Sequence, residues 1–209
     1  MDRRDLARQS ASMIEQPVHD AATIIVLRDS PDGPCVLMGK RGASAAFMPN
    51  KFVFPGGRVD ASDKMDIGQL SRDETSALQA HAPKGIAGSL VAAGIRELHE
   101  ETGLHLTRPQ EMRFMFRAIT PPGRPRRFDA RFFLAPVSAI ANDPDDFSDA
   151  CDELSGLAWI ALDKARQFDL PFITEVVLAE VAAIAKNAHE TRPIPFFRHI
   201  NGTSEVIAL

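Results

Sequence analysis

Apolar and polar positions along the chain fall into short runs separated by strong turn signals. Residues 21–28 (AATIIVLR) and 35–41 (CVLMGKR) are β-prone runs on either side of Asp29-Ser30-Pro31-Asp32-Gly33-Pro34. Proline and glycine enforce a turn there, so a hairpin is predicted. Phe52-Val53-Phe54 is a third strand fragment that stops at Pro55-Gly56-Gly57, where proline ends pairing and the glycines permit unusual backbone angles. Such a strand-to-glycine junction suits a functional site. Residues 58–87 then turn polar and acidic, and a capping box, Ser71-Arg72-Asp73-Glu74, predicts a short helix closing before Pro83. Residues at about 61–87 are read as an insertion.

Leu90, Val91, Ile95 and Leu98 have the spacing of a helix with one buried stripe, predicted over 89–102, and Gly103 followed by Leu104 supplies a C-terminal cap. Further strands are predicted at 113–119, 129–137 and 157–160, with a helix from about 162 and another over 174–189. Strands interleaved with helices predict an α/β protein, a sandwich around a mixed β-sheet.

Composition narrows the function. With 209 residues, 44% apolar, the chain suits one domain over 20–209, preceded by an extension over 1–19. A net charge of −4 leaves no broad cationic surface, so no nucleic-acid partner is expected. Cys35 and Cys151 are too few for a disulfide framework and lack zinc spacing. No segment approaches the ~20 apolar residues needed to span a bilayer. Residues 1–15 also lack a secretory apolar run, so no membrane partner is expected and the expected compartment is the cytoplasm.

The informative stretch is Arg96-Glu97-Leu98-His99-Glu100-Glu101-Thr102-Gly103-Leu104. Positions 97, 100 and 101 differ by three and four and so share one helical face. Like charges at these spacings cost a few tenths of a kcal/mol per pair, and acids near a helix C-terminus oppose the macrodipole by roughly 0.3–1 kcal/mol each. A divalent cation removes that conflict, because hard oxygen ligands suit Mg2+ or Mn2+, which also accept phosphate oxygens. Arg96 is placed to steady one carboxylate. In isolation, an acidic helix end reads more simply as solvated surface.

The run is not isolated. Arg96-Glu97-Leu98-x-Glu100-Glu101-x-Gly103-Leu104 matches the REUxEExGU half of the Nudix family pattern, U being aliphatic, and Phe54-Pro55-Gly56-Gly57 looks like the glycine pair that opens it. The full pattern is G-x5-E-x7-REUxEExGU. Here Gly57 and Arg96 are 39 positions apart instead of 14, so 25 residues are inserted, and Gly88 stands where the pattern has Glu. Asp60 or Asp63, just after the glycines, are candidates to replace that acid. The resemblance implies a Nudix-type α/β/α sandwich, with Glu97, Glu100 and Glu101 as Mg2+ or Mn2+ ligands and catalytic residues beside Arg96. Asp149, Asp152 or Glu153 are candidates for an additional acid that completes the shell or serves as base.

The interrupted motif, with Thr120-Pro-Pro-Gly-Arg-Pro-Arg-Arg-Phe128 downstream, resembles the coenzyme A and acyl-CoA diphosphatase branch. That branch implies hydrolysis to a phosphopantetheine product and adenosine 3',5'-bisphosphate. Gly56, Gly57 and Arg41 are candidate substrate contacts. Arg124, Arg126 and Arg127 are candidates for the terminal phosphate, since guanidinium groups grip phosphate bidentately. Mammalian relatives of the branch are peroxisomal. This chain ends Ile207-Ala208-Leu209, without a Ser-Lys-Leu address, which keeps the cytoplasm as the expected location. The partners implied are a small nucleoside diphosphate substrate and, because related proteins are often dimers, a second copy of the chain. Alternatives are a pyrophosphatase for ADP-ribose or another nucleotide sugar, or a non-catalytic ligand-sensing Nudix module.

Overall fold

The computed structural model describes residues 16–45, 47–68, 70, 72–187 and 192–209. The predicted hairpin forms from β1 (Val18–Arg28) and β2 (Cys35–Arg41), antiparallel with Leu27 opposite Val36. β3 (Phe52–Val53) pairs with β2, and the glycine segment itself becomes a strand, β4 (Gly56–Arg58), antiparallel to Ala21–Thr23 of β1. The sequence expectation that pairing ends at the glycines is therefore corrected. The chain leaves β2 at Pro55 and re-pairs with β1, and glycine is what allows that close approach: a Cβ on Gly56 would sit 2.5 Å from the Ala22 carbonyl oxygen.

Next come α1 (Arg72–Gln79), inside the insertion, and α2 (Ile86–Thr102). Helix α2 starts three residues before the predicted position, because its first turn, Ile86-Ala87-Gly88, carries too little periodic signal. Ser71, the cap proposed for α1, lies outside the described residues. β5 (Arg113–Ile119) has the predicted bounds, whereas β6 (Arg127–Pro136) and β7 (Leu154–Ala161) begin earlier than expected. The helix expected from 162 is only a single 3-10 turn, Ala165–Gln167. Pro171 follows too soon for a costly helical nucleus to propagate. α3 (Phe172–Lys186) begins two residues early, and residue 189 lies outside the described set. A C-terminal hairpin, β8 (Pro195–Ile200) and β9 (Thr203–Ala208), was not predicted, although Asn201-Gly202, both at positive φ, carries the standard hairpin signal.

The strands form one mixed sheet in the order β3-β2-β1-β6-β5-β8-β9, with β4 on β1 and β7 on β2; β1 with β6 and β5 with β8 are parallel. Alternation along β1 sends Ala22, Ile24 and Val26 to one face, where Leu90, Val91 and Leu98 of α2 cover them. Ile25 faces the other side, with Val177, Leu178 and Val181 of α3. The result is the α/β/α sandwich expected. Gly94 lets α2 press onto the sheet, since a Cβ there would lie 2.9 Å from Ile24 Cδ1. That contact sets the carboxylate end of α2 beside β4.

Candidate active site

Helix α2 ends at Gly103, which takes φ 74° and donates its N–H to the His99 carbonyl. Two further carbonyls at this helix end are tied down: the Cys151 N–H donates to Glu100 O at 2.9 Å, and Asn142 Nδ2 to Gly103 O at 3.0 Å. This fixes the final two turns, which carry Arg96, Glu97, Glu100 and Glu101.

Glu101 is 1% exposed. The Gly56 N–H donates to its Oε2 at 2.8 Å, while Oε1 is buried without a hydrogen-bond partner. Burial pushes its carboxyl up to about 8, with Glu153 and Glu97 adding to the rise and the Gly56 N–H and Arg41 opposing it. A buried carboxylate with an orphan oxygen is costly unless a cation or proton meets it. Glu97 is also pushed up, by burial first, with Arg96 acting against it. Its carboxyl fills the space above Gly57, where a Cβ would lie 2.3–2.5 Å from the carboxyl atoms. The glycine pair therefore has two distinct jobs: Gly56 supplies a donor to Glu101, and Gly57 leaves room for Glu97.

Arg96 gathers the rest. Its Nε and Nη2 donate to the two oxygens of Asp63 at 2.9 Å each, Nη2 also to Arg58 O at 3.0 Å, and Nη1 to Glu97 Oε1 at 2.8 Å and Glu100 Oε2 at 3.1 Å. Asp60 stays exposed, 3.9 Å from Arg96 Nη2. Among the described residues, no three acid, histidine or cysteine side chains close into a metal cage. Instead the trio is divided, with Glu101 on the sheet edge and Glu97 and Glu100 on Arg96. The orphan oxygen of Glu101 and the raised affinity of Glu97 and Glu101 for protons make the donor set chemically suited to a hard divalent cation.

The other candidates separate. Arg41 pairs with Glu153 at 2.8 Å, and Arg41 Nε is buried without a partner. Glu153 bears electrostatically on both Glu97 and Glu101. Asp149 packs against Gly103, and Asp152 is exposed. Arg124 and Arg126 are exposed in the turn between β5 and β6. Arg127 is buried, with its guanidinium donating to the carbonyls of Thr120 and Gln16, so its visible contacts tie the chain together.

Sequence reasoning missed a second charged cluster. Buried Arg117 takes both oxygens of Asp129 and donates to the carbonyls of Ala80 and His81 at the end of α1. Arg131, fully buried, bonds Asp20 and the Asp129 carbonyl. Arginines four residues apart within apolar strands, Arg113 and Arg117 in RFMFRAI and Arg127 and Arg131 in RFDARFF, were the available signal.

The NUDIX domain model matches residues 17–181. Among solved structures, the chain is similar to a NUDIX hydrolase from Alicyclobacillus acidocaldarius, with 22% identity, TM-score 0.63, and coverage of 86% of this chain and 98% of that one. It is also similar to a MutT NUDIX hydrolase from Burkholderia pseudomallei, with 22% identity, TM-score 0.51, and coverage of 79% and 99%. A third is the NUDIX domain of Shewanella oneidensis NrtR complexed with ADP ribose, with 12% identity, TM-score 0.55, and coverage of 88% and 98%. At these identities the likeness is one of fold. No curated protein matches the sequence.

The chain belongs to the NUDIX domain family. It is a Nudix hydrolase, an enzyme acting on phosphoric anhydrides in nucleoside diphosphate derivatives, and members of the family generally need a divalent metal such as Mg2+ or Mn2+. No helix among the described residues is long and apolar enough to cross a membrane.

Proposed function

We propose that this enzyme cleaves the diphosphate of coenzyme A or an acyl-CoA, with Mg2+ or Mn2+ held by Glu97, Glu100 and Glu101. The observation that carries the cation seat is the buried, unpartnered oxygen of Glu101, 2.8 Å from a backbone donor through its other oxygen and flanked by Glu97. When bound, the cation neutralises phosphoryl oxygens, acidifies water and orients attack. The chain's own residues prepare that chemistry. The Gly56 N–H fixes Glu101 against the sheet, Arg96 orients Glu97 and Glu100, and Glu153, positioned by Arg41, is the additional acid whose charge bears on both Glu97 and Glu101. Arg124 and Arg126 are the exposed cations free of the carbonyl contacts that occupy Arg127, and we assign them the terminal phosphate.

The coenzyme A assignment is supported by the interrupted motif and the arginine-bearing segment at 120–128. A second reading draws on two neighbours of the same fold: one is bound to ADP ribose, and another is a C. elegans Ap4A hydrolase binary complex, 17% identical with TM-score 0.55. We place the enzyme in the cytoplasm, as one domain over residues 20–209 and a homodimer.

Incubation with Mg2+ and coenzyme A, ADP-ribose, Ap4A or NADH, followed by mass analysis, separates these readings. Phosphopantetheine and adenosine 3',5'-bisphosphate as the fastest-formed products support the assignment. Preferential hydrolysis of ADP-ribose or Ap4A replaces it. An Arg124→Ala/Arg126→Ala variant is expected to raise KM for coenzyme A more than for dephospho-CoA, and equal losses for both contradict the phosphate role.

A further inference from the structure

We infer that the insertion is part of the catalytic apparatus, and that Asp63 is the positioning residue through which it acts. This inference rests on the reading of Glu97, Glu100 and Glu101 as cation ligands.

A guanidinium has five N–H donors in a rigid planar fork. In Arg96 there is an acceptor for each: Asp63 takes two, one on Nε and one on Nη2, and Arg58 O takes the second on Nη2. Only Nη1 is left to meet Glu97 and Glu100. Because the fork is planar, holding Nε and Nη2 fixes where Nη1 points. Asp63 is thus the hinge pin of Arg96, and Arg96 in turn aims the two glutamates. Asp63 is itself held, with a side chain 5% exposed and an Asp60 N–H donating to its Oδ2 at 2.7 Å.

Charge adds a second effect. The formal charge of Asp63 offsets that of Arg96, which leaves Glu97 and Glu100 with more of their attraction for a cation. Without Asp63, the arginine would turn its full charge on the same oxygens a cation needs.

The segment that carries Asp63 is locked in place at several points. The Met65 carbonyl sits on Gly88, where a Cβ would be 2.2 Å away; Leu78 is 1% exposed; and Arg117 Nη1 donates to Ala80 O at 2.7 Å. The position where the family pattern has Glu is therefore covered by insertion backbone. The insertion returns a carboxylate two residues earlier, at Asp63, and aims it at Arg96 instead of at the cation seat.

The test is Mn2+ titration by calorimetry on the full chain, together with kcat and KM on whichever substrate the wild type hydrolyses fastest. Asp63→Asn should weaken Mn2+ binding and lower kcat by about 10–100-fold each, with KM within about twofold, the scale for losing a partner that orients metal ligands. Asp63→Glu should recover part of both. Wild-type Mn2+ affinity and kcat in Asp63→Asn, whatever its Tm, would overturn the role. If Asp63→Asn does not fold, Asp63→Ser, which also removes the carboxylate that grips Arg96, decides: weakened Mn2+ binding supports the role and wild-type binding overturns it. Glu101→Gln, run in parallel, separates the two failures. Undiminished Mn2+ affinity there sinks the cation seat and this inference with it, whereas loss there with no effect at Asp63 removes Asp63 alone.

Discussion

Gly57 and Glu97 compete for one space: a methyl group on Gly57 would fall 2.3–2.5 Å from the carboxyl atoms of Glu97. Since Glu97 is the end of a flexible side chain, it can move aside, and the cost falls on function before stability. Gly57→Ala is expected to lower kcat by at least about tenfold, equivalent to about 1.4 kcal/mol of lost transition-state stabilisation, with Tm within a few degrees. Gly56→Ala should differ, because its Cβ would strike backbone, Ala22 O at 2.5 Å and Thr23 Cα at 2.6 Å, at φ 156°. That variant should lose thermal stability as well as activity. Thermal melts beside steady-state kinetics check both.

Restoring the family glutamate should harm this protein. Gly88→Glu would drive a side chain into the Met65 carbonyl, 2.2 Å from the Cβ position, on a buried face of α2. Overpacking of this kind costs about 1–3 kcal/mol, and burying an unpaired carboxyl adds to it. A lower Tm without any gain in turnover is the expected outcome.

The metal-free protein should become less stable as pH rises. Glu101 holds its proton up to about 8 when folded, against an ordinary value of 4.5. Between those limits the folded state binds more protons than the unfolded state, so unfolding free energy falls with increasing pH. A divalent cation must displace the same proton, so its apparent affinity should rise about tenfold per pH unit until about 8. Melting curves at pH 6 and 8, with and without Mg2+, should show a larger Mg2+ effect at pH 8. A pH-independent effect would contradict the burial argument.

Asp129 is the common acceptor for two buried arginines, through its carboxylate to Arg117 and its carbonyl to Arg131. Asp129→Ala leaves Arg117 without its bidentate partner and should cost about 3–5 kcal/mol. For a chain of this size that lowers Tm by roughly 6–20 °C. Part of the loss should appear as release of α1, because Arg117 holds the Ala80 and His81 carbonyls just beyond its C-terminus.

Much of this site is legible in the sequence because local spacing encodes it. The intervals between Glu97, Glu100 and Glu101 put them on one turn, Gly103 caps that turn, and the 29–34 turn fixes the β1–β2 hairpin. What was not legible depends on contacts distant in sequence. The re-pairing of Gly56–Arg58 with β1, the Met65 carbonyl over Gly88 and the bidentate grip of Asp63 on Arg96 join segments separated by 20 or more residues. Arg127 shows the same limit from the other side. Its composition reads as a phosphate ligand, yet burial turns it to the carbonyls of Thr120 and Gln16.

The central claim is that buried Glu101 belongs to a cation seat that drives diphosphate hydrolysis. Mg2+-dependent turnover of coenzyme A by Glu101→Gln, measured beside its melting temperature, tests it most directly. Glu101→Gln should lose at least about 10³-fold in kcat, the scale of several kcal/mol of metal-borne charge stabilisation, with the fold intact and the metal-free Tm at pH 8 no lower than that of the metal-free wild type. Turnover near the wild-type rate in a folded Glu101→Gln would contradict it.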